Sequence, residues 1–319
     1  MENEIHMVDS MEEAKGWLAG LEIGEGIHCR NLTVFPLFHP ADGDGGDAKS
    51  PRYQLLSEGI DKGEAVVEEV DEGGEVPFLS VKNQGATPIL IPEGEILVGA
   101  KQNRVVNLTV LVAAAAAYKL AVSCVEQGRW RYLSRHFEAK AWAHPKLRAL
   151  KVKSVHRNRA AMGGARSDQG EVWEEVGHHL DALAAPSPTS SMTDGFEAAE
   201  GRLDGYRKKI RLPEKACGFV AARGGRILGV DLFDDPATMH KLWKRIADAY
   251  FVEAVREDEE QEPASPEAAK EFLGQVTERL VPAAEQPELG CELEVSGDHL
   301  AGSALWHDGA VCHLAAFSA

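Results

Sequence analysis

Between Glu64 and Cys124 the apolar residues recur with a period of two, in short runs broken by Gly, Pro and Asn. That spacing sends successive side chains to opposite faces, which suits strands rather than amphipathic helices. The runs are Ala65–Val70, Val76–Val81, Pro88–Ile91, Glu95–Val98, Arg104–Val112 and Lys119–Cys124. In the longest, Val106, Leu108, Val110 and Val112 share one face, while Asn107 and Thr109 take the other. The pattern predicts a half-buried antiparallel sheet curled into a sandwich or roll.

The flanking segments have other periods. Met11, Ala14, Trp17, Leu18 and Leu21 have helical spacing behind a cap at Asp9 or Ser10, and a strand follows over Asn31–Phe38. Ala41–Ser50 reads as a polar loop and Tyr53–Ile60 as a short helix. Beyond residue 130 the periodicity is mostly helical: Gln169–Leu183, a stretch ending near Ile210, Pro236–Val255 and Pro266–Leu280. Residues 131–166 are basic, with helical stretches and a Gly163-Gly164 break. Strands at Cys217–Ala222 and Arg226–Phe233 flank a Gly224-Gly225 turn, and Asp234 or Asp235 caps the helix that Pro236 opens. A last hairpin is formed from Cys291–Val295, Ser303–Trp306 and Val311–Phe317. The expectation is an α+β chain with a β-rich part over 1–130 and a helical α+β part over 131–319. The final hairpin could return to complete one composite domain.

Charge narrows the partners. With 319 residues and a net charge of −17, the molecule as a whole disfavours nucleic acid. Residues 129–166 are the exception: they hold eleven Lys and Arg against the single acid Glu138, leaving 23 basic and 50 acidic residues elsewhere. Such a segment docks onto acidic surface or receives an anion. Its Trp130, Tyr132, Phe137 and Trp142 would also suit stacked bases, which the acidic body opposes. No stretch approaches the roughly 20 apolar residues of a membrane helix, and the acidic N-terminus lacks an apolar core for a secretory signal. The expectation is a cytoplasmic protein with no membrane association.

Three segments then carry a family resemblance. Ile91-Pro-Glu-Gly-Glu-Ile-Leu-Val-Gly-Ala-Lys-Gln-Asn-Arg-Val-Val-Asn107, Ser123-Cys-Val-Glu-Gln-Gly-Arg-Trp130 and Gly229-Val-Asp-Leu-Phe233, with Gly218 before it, resemble the ARG and rhodanese-phosphatase-superfamily-associated protein domain. ARG there stands for ADP-ribosylglycohydrolase. The resemblance runs from about Leu32 to the last hairpin. It implies ADP-ribose, NAD-linked or other nucleotide chemistry by association, and brings with it no catalytic residues and no cofactor.

The first two segments also hold the candidate site. A polar run beside an apolar strand is either exposed at a rim or part of a satisfied network. Read as a recognition loop, Lys101 and Arg104 grip phosphate or carboxylate, Gln102 and Asn103 read polar groups, and Gly99 lets a ligand approach the backbone. Read as structure, the same residues satisfy neighbouring backbone groups. Glu126 and Arg129 form either a plain salt bridge or a general acid/base with an anion clamp, beside Gln127 and with Trp130 as a stacking platform. If Arg104–Val112 and Lys119–Cys124 pair, Lys101–Arg104 and Glu126–Trp130 lie at one end. Glu95 and Glu126 would then transfer protons, and a raised carboxylate pKa would mark that role. A hydrolase-like enzyme and a non-catalytic ligand-sensing or protein-interaction module both remain open. A purely structural role predicts that Lys101→Ala and Arg129→Ala mainly lower stability.

Other motifs carry less. The five cysteines are scattered without a CxxC pair and read as buried thiols, so Cys124 with His136 as its base is a minor alternative. His178 and His179 are adjacent on one helix and point apart, and His299, His307 and His313 lack a ligand spacing, so no metal ligands are assigned. The glycines from Gly218 to Gly229 lie between strands and do not open a helix, which rejects a dinucleotide fingerprint.

Overall fold

The computed structural model describes residues 2–40, 52–70, 77–257 and 259–319. The chain is α+β and divides into two compact units: residues 1–48, 202–286 and 290–319 form one, and residues 49–201 with 287–289 form the other. The break expected near residue 130 falls inside the second unit, because strand Phe137–Trp142 pairs with Glu95–Gly99. Ala41–Ser50 and the start of the predicted Val76–Val81 strand lie outside the described residues. Among the described residues no helix is long and apolar enough to cross a membrane.

The first unit is built on one antiparallel sheet of nine strands. Leu32–Phe38 pairs with Gly218–Arg223, which continues through Arg226–Phe233 to Ala310–Ser318, Leu300–His307 and Cys291–Gly297. The terminal hairpin thus completes a sheet begun near the N-terminus. Leu18, Phe35, Val220, Leu232, Leu273 and Leu314 belong to one apolar cluster of this unit. The first helix spans Glu2–Ala19, so it starts before the Asp9 or Ser10 cap that the sequence suggests. Met7, Met11, Ala14 and Leu18 extend one apolar stripe back through those residues, and tertiary burial of that stripe outweighs the local capping preference. Helix Pro236–Val255 has the predicted bounds, with Asp235 accepting a hydrogen bond from Ala237 N. Tyr250 on this helix donates to Asp231 at 2.7 Å, and His313 Nε2 lies 3.5 Å from the same carboxylate.

The second unit packs two sheets face to face. One has six strands in the order Phe137–Trp142, Glu95–Gly99, Arg104–Val106, Ala117–Cys124, Phe78–Asn83, Ala65–Glu69. The other has Val110–Val112, Ile89–Ile91 and Gln54–Leu55, the last pair parallel. Leu97, Val106 and Leu120 from the first meet Ile89, Ile91 and Val112 from the second in one core. A second core joins Ile96, Val105 and Val125 to Leu147, Val172 and Leu180 of helices Pro145–Met162 and Gln169–Ala182.

Two predicted elements differ. Tyr53–Ile60 is not all helix, since Gln54–Leu55 is strand and the helix runs Leu56–Asp61. Its start is set by Glu58, whose carboxylate accepts the Leu55 amide at 2.9 Å. Arg104–Val112 is not one strand but two, in different sheets, broken at Asn107-Leu108-Thr109. Buried Asn107 donates from Nδ2 to Ala165 O at 2.9 Å and accepts from Ser123 at 2.7 Å, while Thr109 Oγ1 accepts the Glu93 amide at 3.0 Å. These side-chain bonds compete with the ladder and turn the chain from one sheet to the other.

The first unit tolerates no bulk where its strands meet at Gly218. A Cβ there would sit 2.4 Å from Leu232 Cβ and 2.6 Å from Asp231 O. Gly218→Ala should lower stability by roughly 1–3 kcal/mol, as overpacking does. Urea denaturation checks this, and an unchanged midpoint would mean the strands separate freely.

Candidate functional site

The register Val122↔Val106, Ser123↔Val105, Cys124↔Arg104 places Lys101–Arg104 and Glu126–Trp130 at the same end of adjacent strands, as the short separation predicts. Gly99 has φ 136°, and a Cβ on it would lie 2.6 Å from His136 O and 2.7 Å from Ser134 Oγ. Its role is therefore to admit the chain's own 134–137 segment. The ligand approach suggested by the sequence does not require it.

Glu126 and Arg129 form the centre of this end. Arg129 donates from Nε to Glu126 Oε1 at 2.8 Å and from Nη2 to Oε2 at 2.6 Å, a two-pronged pair with both partners buried. The remaining donors reach Ala100 O (2.6 Å), Arg131 O (3.1 Å), Gly99 O (3.3 Å) and Asn103 Oδ1 (3.1 Å). Glu126 also accepts from Asn103 N at 3.1 Å and Thr189 Oγ1 at 2.8 Å. Burial alone would raise the Glu126 pKa, but the bonds from Arg129, Thr189 and Asn103 hold it below the ordinary value. A carboxylate so engaged is a poor proton shuttle, and Arg129 has no donor left for an anion. The plain salt bridge is the reading the geometry favours.

Asn103 and Gln102 are similarly engaged. Asn103 Oδ1 accepts from Gly99 N at 3.2 Å and Nδ2 donates to Ser191 Oγ at 3.1 Å. Gln102 accepts from Arg104 at 3.2 Å and donates to Gln127 O at 3.3 Å, whereas the Gln127 side chain is exposed.

Arg104, Lys101 and Trp130 are arranged differently. The Arg104 side chain is fully buried, and Nη1 bonds Gln102 and Cys124 Sγ. Its Nε and Nη2 donate to no hydrogen-bond acceptor; Glu69 Oε2 lies 3.7 Å from Nη2. The Trp130 ring lies over the guanidinium at 5.6 Å and is 48% exposed. Lys101 Nζ is 5.3 Å from the centroids of both Trp130 and Tyr132, within reach of a cation–π interaction with each. Cations and half-exposed rings thus meet at one edge. Burial pushes the Cys124 thiol up to about 11 in spite of Arg104, so it stays protonated at neutral pH and is not an activated nucleophile.

Glu95 is not brought to this edge. It pairs with Trp142, and register Ile96↔Val105 sets it toward the far end of the strands from Glu126. That far end holds a buried cluster the sequence reading did not single out. Glu93 accepts from Arg148 Nε at 2.9 Å and lies 2.7 Å from Lys151 Nζ, all three side chains fully buried. Lys151 also donates to Val106 O at 2.9 Å and Asn107 O at 2.7 Å. Burial would raise the Glu93 pKa, and Arg148 and Lys151 overcome it to hold the carboxyl low. Gly94, at φ 85°, makes room, since a Cβ would lie 2.5 Å from Arg148 Nε. The sequence did hold a signal. Arg148 and Lys151 share a helical stripe with Val152 and Val155, and cations on a core-facing stripe require a buried acid.

In the first unit a groove lined by Leu18, Leu21, Ile23 and Leu273 holds none of the candidate site residues. Among the described residues no group of three or more His, Cys, Asp or Glu could hold a metal ion.

A two-unit α+β protein with a buried polar network behind a cation–aromatic edge is the class that the fold and site define. The chain belongs to the family described as the ARG and Rhodanese-Phosphatase-superfamily-associated Protein domain, whose profile matches residues 20–317. No curated protein and no solved structure matches it.

Removing the Glu126 charge should leave Arg129 buried and unpaired. Glu126→Gln is expected to lose roughly 3–5 kcal/mol at neutral pH. Folding lowers the Glu126 pKa, so the pair stabilises above the ordinary value of 4.5 and its contribution is lost as pH falls through the lowered one. Urea denaturation should therefore show the gap between wild type and variant closing in acid. A gap independent of pH would contradict the pairing.

Proposed function

We propose that this protein binds a small, phosphate-bearing, nucleotide-derived molecule of the ADP-ribose or NAD type at the Lys101–Arg104–Trp130 edge, without turning it over. The observation that carries this reading is the fully buried Arg104, with two donors unused, beneath a half-exposed Trp130 that Lys101 also approaches. Trp130 offers a stacking face for a base, and the two cations offer charge for phosphates. The family's name associates it with ADP-ribosylglycohydrolase, which favours this ligand class. A binding role is favoured over a catalytic one because Glu126 is held ionised by four donors and Glu95 lies away from the edge.

A second reading has its own support. Trp130, Tyr132 and Leu133 are 48, 51 and 63% exposed within four consecutive residues, a patch that also suits a protein partner.

Thermal unfolding against ADP-ribose, NAD, mono- and dinucleotides and inorganic phosphates separates the two. A ligand at about 100 times its Kd should add roughly 2.7 kcal/mol to the wild type. The shift should disappear in Trp130→Ala and Lys101→Ala while both variants remain folded. If nothing in the panel stabilises the wild type, the nucleotide reading fails and the protein-partner reading takes its place.

A further inference from the structure

The Arg104 guanidinium has donors to offer but no path to solvent. Its side chain is fully buried, and Nε and Nη2 make no hydrogen bond. Among the described residues that touch it, Gln102, Cys124 and Glu69 are buried, and Trp130 is half exposed. The Trp130 ring lies 5.6 Å from the guanidinium and 5.3 Å from Lys101 Nζ, so cation–π attraction holds it over the cations. The backbone on either side of the ring is pinned. Gly128 N donates to Thr189 O at 2.7 Å, Arg129 Nη1 to Arg131 O at 3.1 Å and Leu133 N to Ala100 O at 3.0 Å. An anion therefore reaches Nε of Arg104 by turning the half-exposed ring aside, not by opening the segment that carries it. Rotation of one exposed side chain is faster and less costly than local unfolding.

We infer that Trp130 is a lid as well as a stacking platform, and that it makes the site selective for phosphates carrying an aromatic base over bare phosphates. The inference rests on the nucleotide-binding reading of this edge. In the structure the ring lies against the cations. Any anion that takes the Arg104 donors forfeits those cation–π contacts, and its apparent affinity is scaled down by the fraction of time the ring is turned aside. A nucleotide restores a partner to the displaced ring, because its base stacks there. Inorganic phosphate or pyrophosphate restores nothing. Glu69 Oε2, 3.7 Å from Nη2, repels a given anion alike with or without Trp130. The discrimination therefore belongs to the ring.

The test is calorimetry of ADP-ribose and inorganic pyrophosphate on wild type, Trp130→Ala and Leu133→Ala. Trp130→Ala should bind ADP-ribose about ten-fold more weakly than wild type and pyrophosphate about ten-fold more tightly, two shifts of opposite sign. Leu133→Ala, which removes another exposed apolar side chain of the same segment, should leave both affinities unchanged. If Trp130→Ala weakens both ligands, or leaves pyrophosphate unaltered, the lid is refuted while the binding site stands. If wild type binds neither ADP-ribose nor any other nucleotide, the selectivity fails with the functional reading, and the protein without ligand decides the lid. Exchange of Arg104 Nε–H with water should then be about ten-fold faster in Trp130→Ala than in wild type, and unchanged exchange would overturn the lid. Should Trp130→Ala not fold, nuclear magnetic resonance of the wild type decides. Overhauser contacts between the Trp130 ring and the Arg104 side chain should be present without ligand and lost with ADP-ribose, and their persistence in the complex would refute the inference.

Discussion

The Arg129 guanidinium holds the site end of the second unit in place. It joins the turn after strand Glu95–Gly99 to the segment after strand Ala117–Cys124, using Gly99 O, Ala100 O and Arg131 O as well as Glu126. Ala100 O also accepts the Leu133 amide at 3.0 Å, so backbone and side-chain donors hold this turn together. Glu126 extends the link to Thr189, and Asn103 extends it to Ser191. The pair therefore fixes the frame in which Lys101, Arg104 and Trp130 are displayed. Motif residues that look like a catalytic set are largely engaged with one another, and they support the edge proposed as the binding site.

At the opposite end, Glu93 does comparable work with two cations. Lys151 caps Val106 O and Asn107 O where the chain passes from one sheet to the other, and Arg148 closes over Gly94. Burial drives the Lys151 pKa down, with Glu93 pulling the other way. Both ends of the strand pair are thus tied by buried charge, and their difference is informative. The Glu93 and Glu126 clusters have tight partners, whereas the fork of Arg104 does not.

Local chemistry was legible in the sequence. The Asp235-Pro236 start of a helix, the Gly224-Gly225 turn and the period-two runs depend on residues within a few positions, and the adjacency of Arg104 to Cys124 followed from a short connection. What was not legible depends on partners far along the chain. Nothing near Asn107 reveals that Ala165 and Lys151 will hold it, so an alternating run looked like one strand. Nothing near Leu32–Phe38 reveals pairing with Gly218–Arg223, so the expected boundary followed the change of periodicity near residue 130 instead. Within the site, the polar run Lys101–Arg104 was visible, but whether each side chain faced a ligand or a neighbour depended on Glu69, Thr189 and Ser191. Glu69 itself sat inconspicuously at the end of an alternating strand.

The central claim is that an anion enters the open fork of Arg104 under Trp130 while the Arg129 pair stays closed. Nuclear magnetic resonance of the arginine Nε–H and tryptophan indole groups during titration with ADP-ribose tests it most directly. The account predicts large, saturable shifts for Arg104 Nε–H and the Trp130 indole, with Arg129 Nε–H unmoved. Shifts at Arg129, or none at Arg104 when ligand is bound, would contradict it.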